Sequence, residues 1–264
     1  MLLCKGWRHT TFCILEIDYF LAVLLEPIPG RKTHAHNTPL DLKHRYGALM
    51  AHNGRNLIFS GPVNEAETVV LMLHGRGDSA RGILSLADVL GTGLDTGKVA
   101  FAAPEAEGHS WYPHSFLMPL ERNEPQLSSA LQAVGDALDE LGIACEKVVL
   151  LGFSQGACLA LEFAARNARR YGGVVALSGG LIGPEGTPRD LPGSLSGTPV
   201  FLGCSNVDAH IPETRVRESA EVMRKLGGAV DLRIYPGMGH TVNEDEIGAA
   251  KAIIAEAGMG ARRG

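Results

Sequence analysis

Gly152-Phe153-Ser154-Gln155-Gly156 is the stretch that most restricts what this chain can become. It follows an apolar run, Val148 to Leu151, and precedes a helix-like one, Ala157 to Arg170. A G-x-S-x-G pattern between a strand and a helix is the context of a nucleophile elbow. The turn is too tight for side chains beside the serine, and its strained backbone favours residues lacking Cβ. By itself the five-residue pattern is weak, because Gly and Ser are common in loops. The strand and helix on either side give it weight, and the rest of the chain must supply partners for Ser154.

Those flanks belong to a regular alternation. Leu57-Ile58-Phe59 is a short strand candidate near a sheet edge. Thr68 to Leu73 is an unbroken apolar run, as expected of a central parallel strand covered on both faces. Ile83, Leu86, Ala87 and Leu90 recur at helical spacing, Val99 to Ala102 is the next strand, and Leu127, Leu131, Val134, Leu138 and Leu141 mark an amphipathic helix. After the Ser154 unit come a strand over 172–177, a Gly- and Pro-dense loop over 179–197 and a strand over 199–203. A helix over 213–226, a more exposed strand over 230–235 and a last helix from about Asn243 to Ala257 complete the series. Strands alternating with helices predict one α/β domain over residues 46–264, with a mostly parallel, doubly wound sheet and helices on both faces. Residues 1–45 share no such periodicity and read as an N-terminal extension, disordered or an added arm.

Composition removes several function classes. A net charge of −5 with no Lys/Arg-rich run argues against a nucleic-acid surface. Phe12 to Leu25 is interrupted by Glu16 and Asp18 and is too short to span a bilayer, which predicts no stable membrane insertion. The five cysteines are scattered and odd in number, so they read as thiols of a reducing compartment and predict a cytoplasmic protein. His34, His36 and His44 lack a carboxylate or cysteine to complete a metal site and read as solvated, so no metal is expected.

A serine hydroxyl attacks well only when a base takes its proton and an acid holds the base's tautomer. Strand ends following Ser154 supply both, in the order Ser, acid, His. Asp208 lies in the turn after the 199–203 strand, and His240 in the turn after the 230–235 strand. Asp190 and Asp231 compete for the acid's place but do not follow a strand end. His210, on the acid's own loop, reads as structural. The developing oxyanion needs donors, expected from the backbone N–H of Gln155 and of Arg76 in His74-Gly75-Arg76-Gly77-Asp78. The Arg76 side chain reads either as a solvated cation or as a clamp for an anionic substrate group. Asp78 reads as a helix cap.

His74-Gly75-Arg76-Gly77-Asp78-Ser79, the elbow, Asp208-Ala209-His210-Ile211-Pro212 and Gly239-His240 together resemble the phospholipase/carboxylesterase family of α/β-hydrolases. That family includes acyl-protein thioesterases and bacterial carboxylesterases and is related to dienelactone hydrolases. The resemblance spans about residues 56–257 and implies the α/β-hydrolase fold and a serine hydrolase without cofactor. Its implied partner is a small-molecule ester or thioester, with a homodimer as the protein partner to test. It also implies that Trp111, Tyr112 and Phe116 line the substrate cleft, with Met238 in the His240 turn beside them; plain core packing is the alternative for the loop. Serine in place of the usual cysteine argues against the dienelactone branch. Arg76 stands where acyl-protein thioesterases commonly have an apolar residue, which favours the esterase branch. The expected activity is a serine carboxylesterase with an acyl-enzyme on Ser154. Lysophospholipase or thioesterase activity is the nearest alternative, and a binding protein that kept the fold is the non-enzymatic one.

Overall fold

The computed structural model describes residues 52–94 and 98–260. Seven strands form a single sheet: β1 (Leu57–Ser60), β2 (Thr68–Leu73), β3 (Val99–Pro104), β4 (Val148–Phe153), β5 (Gly173–Leu177), β6 (Pro199–Ser205) and β7 (Ala229–Tyr235). Their spatial order is β1-β3-β2-β4-β5-β6-β7, with β1 antiparallel to β3 and every other neighbour parallel. The helices are α1 (Ala80–Leu84), α2 (Ala87–Gly91), α3 (Gln126–Leu141), α4 (Gln155–Arg166), α5 (Glu213–Lys225) and α6 (Glu244–Gly260).

The continuous apolar runs are explained by layers on both faces. Val69, Leu71 and Leu73 of β2 pack with Leu127 and Val134 of α3, Leu161 of α4 and Val216 of α5. The alternate residues Val70 and Met72 pack on the other face with Ile83 of α1, Leu90 of α2 and Ile254 of α6. All six β2 side chains are buried. Each fully buried Val, Leu or Met contributes about 1.5–3 kcal/mol relative to exposure, which makes the central strands a rigid base for whatever sits at their ends. β7, at the sheet edge, is half-exposed throughout, as its alternating sequence predicts.

Parallel register aligns the carboxyl ends. Leu73 pairs with Gly152, Phe153 with Leu177, Leu177 with Gly203, and Ser205 with Tyr235. The turns that follow β2, β4, β6 and β7 therefore emerge along one edge, where ligands collect in open α/β sheets.

Two local expectations are corrected. The helical spacing over 83–90 belongs to two short helices, α1 and α2. The N-cap of α1 is Ser79, whose hydroxyl accepts the Gly82 N–H at 3.0 Å, and not Asp78. The N-terminal extension, Phe12 to Leu25 and the three N-terminal histidines lie outside the described residues.

Candidate active site

Ser154 sits between β4 and α4 with φ 54° and ψ −117°, a conformation that side chains rarely adopt. Such strain costs on the order of 1–3 kcal/mol and persists only where neighbours hold it. Here the Ser154 N–H donates to Leu177 O on β5, and Ser154 O accepts from Cys158 N–H in the first turn of α4, both at 3.0 Å. The flanking glycines are a packing requirement. A Cβ on Gly156 would stand 2.0 Å from Leu73 O, and one on Gly152 2.3 Å from the Gly156 backbone. Strand and helix approach closely enough to project Ser154 because neither position carries a side chain.

The three triad candidates, 86 and 32 residues apart along the chain, form one hydrogen-bonded line. His240 Nε2 lies 2.8 Å from Ser154 Oγ, and His240 Nδ1 lies 2.7 Å from Asp208 Oδ2. The other carboxylate oxygen, Asp208 Oδ1, accepts the backbone N–H groups of His210 (2.8 Å) and Ile211 (3.0 Å). Burial opposes ionisation of Asp208, whose side chain is fully covered. The His240 hydrogen bond and the two N–H donors outweigh that and hold the carboxyl below its ordinary range. An ionised Asp208 accepts from Nδ1–H, which leaves the Nε2 lone pair facing the serine hydroxyl. The Phe153 ring, 5.0 Å from the His240 ring, and the His210 ring, edge-on at 4.9 Å, bracket the imidazole. Asp190 and Asp231 are exposed, and Asp231 is hydrogen-bonded to Arg233.

The oxyanion candidates flank the same serine. Gln155 is the first residue of α4, where backbone N–H groups have no intrahelical acceptor and the macrodipole favours negative charge. Arg76 follows Gly75, which lies against Phe153 and Ser154. Among the described residues, neither backbone N–H has an acceptor. The Arg76 side chain is exposed, as its solvated reading expects, and it is also tied to the protein. Its guanidinium donates to Ser110 Oγ (2.9 Å), Pro113 O (3.0 Å) and His114 O (2.8 Å), and it stands over the Tyr112 ring.

The rings expected to line a cleft lie inside. Trp111, Tyr112 and Phe116 are 0, 2 and 5% exposed and belong to the core beneath the loop. Trp111 Nε1–H donates to His74 O at 2.9 Å, and burial pushes the Tyr112 phenol well up, so both rings are neutral structural anchors. Met238 is half-buried in the His240 turn, and its sulfur accepts from Asn243 Nδ2. Composition gave no warning of the burial, since aromatic residues in a polar loop suit a cleft and a core equally.

Among the described residues no group of His, Cys, Asp and Glu is arranged to hold a metal ion, and no helix is long and apolar enough to cross a membrane.

A mostly parallel sheet with an elbow serine after β4, a buried aspartate after β6 and a histidine after β7 defines a serine hydrolase of the α/β-hydrolase class. The chain belongs to the phospholipase/carboxylesterase family, whose sequence profile matches residues 53–257. It is similar to a phospholipase/carboxylesterase from Dyadobacter fermentans, with 44% identity and a TM-score of 0.72, covering 77% of this chain and 97% of that one. Acyl-protein thioesterase 1 of Saccharomyces cerevisiae is 28% identical over 211 residues, 70% of this chain and 90% of that protein. Acyl-protein thioesterase 1 of Debaryomyces hansenii is 32% identical over 122 residues, and that match spans 53% of the yeast protein. Hydrolysis of esters and thioesters is the chemistry of this family.

Proposed function

We propose that this protein is a serine carboxylesterase that works through an acyl-enzyme on Ser154. The unbroken line from Asp208 through His240 to Ser154 Oγ carries the reading. As Ser154 Oγ bonds to the acyl carbon, its proton passes to His240 Nε2. The imidazolium so formed is stabilised by Asp208, and the carbonyl oxygen takes its negative charge facing the N–H groups of Arg76 and Gln155. Collapse breaks the bond to the leaving alcohol, which takes the proton from His240. Water then attacks the acyl carbon, gives a proton to His240, and the acid departs as Oγ recovers that proton.

The ester preference rests on Arg76, at a place where thioesterases of the family are commonly apolar, and on the name of the 44%-identical Dyadobacter protein. Thioester hydrolysis is the second reading, favoured by the names of the yeast relatives. Three free thiols, Cys145, Cys158 and Cys204, support a cytoplasmic setting. A fluorophosphonate probe and matched substrates test the proposal. The wild-type chain gains the mass of one adduct, Ser154→Ala gains none, and kcat/KM is higher for a p-nitrophenyl ester than for the thioester of the same acid. An unlabelled wild type removes the nucleophile; a thioester preference replaces the carboxylesterase reading with thioesterase.

A further inference from the structure

The residues that carry the two candidate oxyanion donors share a second property. Both of their side chains grip the same five-residue segment, Ser110–His114. Arg76 holds it from one side with three hydrogen bonds, to Ser110 Oγ, Pro113 O and His114 O. Gln155 holds it from the other. Its Oε1 accepts the Trp111 N–H at 3.0 Å, and its Nε2 donates to Tyr112 O at 2.8 Å and approaches Ser110 Oγ at 3.3 Å. Ser110 Oγ is the meeting point, bonded to Arg76, close to Gln155, and donating to Tyr112 O at 2.9 Å.

The segment is itself anchored. Trp111 and Tyr112 are buried in the core, and the Asn123 side chain accepts from the His114 N–H at 2.9 Å. The loop after β2 needs such an anchor. Its Gly77 faces open space, and its own backbone ties are Gly77 N–H to His109 O at 2.8 Å and Asp78 N–H to Gly75 O at 3.2 Å. An oxyanion hole requires its donors within about 2.7–3.1 Å of one oxygen. The Arg76 and Gln155 N–H groups arise from separate strand ends, and no hydrogen bond between those two residues sets their spacing.

We propose that the Arg76 and Gln155 side chains are positioning residues: by clamping Ser110–His114 between them, they set the spacing of the two backbone donors of the oxyanion hole. The planar guanidinium explains why arginine serves here. It reaches three acceptors from one rigid fork, whereas a lysine ammonium is a point charge on a flexible stem. Arg76 is exposed at the surface, and partial desolvation by the segment it holds lowers its pKa against the opposing pull of Tyr112.

This inference rests on the Ser154 reading above, and fluorophosphonate labelling of the wild type separates the two: an unlabelled wild type sinks that reading, whatever the variants do. With labelling established, Arg76→Leu, Arg76→Lys and Ser110→Ala are compared, all of which keep both backbone N–H groups. Steady-state kcat and KM on a p-nitrophenyl ester are measured with Ki for a trifluoromethyl ketone, whose adduct places an oxyanion in the hole. For Arg76→Leu, kcat falls about 10–100-fold with KM within about twofold, and Ki rises by the same factor as kcat falls. Arg76→Lys does not restore kcat. Ser110→Ala reproduces part of the loss, and the double variant loses less than the product of the singles. Unchanged kcat and Ki in folded Arg76→Leu and Ser110→Ala overturn the proposal. So does a rise in KM alone, which would make Arg76 a contact for the substrate's ground state. If Arg76→Leu does not fold, Ser110→Ala and Arg76→Lys decide the matter by the same two constants.

Discussion

At Asp208, the two carboxylate oxygens have different work. Oδ1 is committed to the His210 and Ile211 N–H groups, and Oδ2 to His240. Asp208→Asn must therefore keep its carbonyl oxygen on the backbone donors and turn its amide N–H toward Nδ1. That amide demands an unprotonated Nδ1 and moves the imidazole proton to Nε2, where it blocks uptake of the serine proton. The expected loss in kcat is about 10⁴-fold, with the fold retained by circular dichroism. Gly156→Ala tests the packing rather than the chemistry. Its Cβ would stand 2.0 Å from Leu73 O on β2, a strand buried at every position. The backbone there cannot move aside cheaply, so stability falls by at least the ~3 kcal/mol at the top of the usual overpacking range, read from urea midpoints.

At the level of elements, the start of α6 governs the loop that carries His240. Asn243 Oδ1 accepts the Glu246 N–H and Glu246 Oε2 accepts the Asn243 N–H, each at 2.9 Å, a reciprocal capping box. Glu246 is fully buried, and its Oε1 has no partner among the described residues. Burial pushes its carboxyl from 4.5 up to about 7, against the pull of the Asn243 N–H. A folded pKa above the unfolded one means that the native state holds a proton the unfolded chain has released. Stability contributed by Glu246 therefore falls as pH rises from about 4.5 to about 7 and stays lost above that, by at most about 3 kcal/mol. Glu246→Gln keeps an acceptor for Asn243 and removes the titration. Its Tm, relative to the wild type, should rise between pH 5 and pH 8; a constant difference would show that Glu246 does not titrate there.

The described part of the molecule begins at His52 and is built on a sheet whose parallel strands deliver their loops to one edge. His52 N–H donates to Ser129 Oγ on α3, and its imidazole contacts Trp111 O and Glu107 N–H. Residues from 46 onward are proposed as the folding unit, in line with a family match that starts at residue 53. A chain beginning at residue 46 is expected to keep kcat/KM within about twofold and Tm within about 3 °C of the full chain. A larger drop in either would assign residues 1–45 a part in the hydrolase itself.

What could be read directly from the sequence was whatever depends on local pattern and chain order. Apolar runs on β2 and β4 announced strands covered on both faces, because burial on two faces leaves no polar position. Ser154, Asp208 and His240 were legible because each follows a strand, and a parallel sheet sends successive strand ends to the same edge. Tertiary structure alone decided the side-chain partnerships across long stretches of chain. Arg76 finds its acceptors 34–38 residues away, and Gln155 finds its own 43–45 residues away. The same holds for Trp111 and Tyr112, whose rings suited a cleft by composition but became core residues once α3, α4 and the sheet closed over them. Local propensity has no term for what a side chain meets when distant segments fold together, so the elbow was visible in the residues and its surrounding clamp was not.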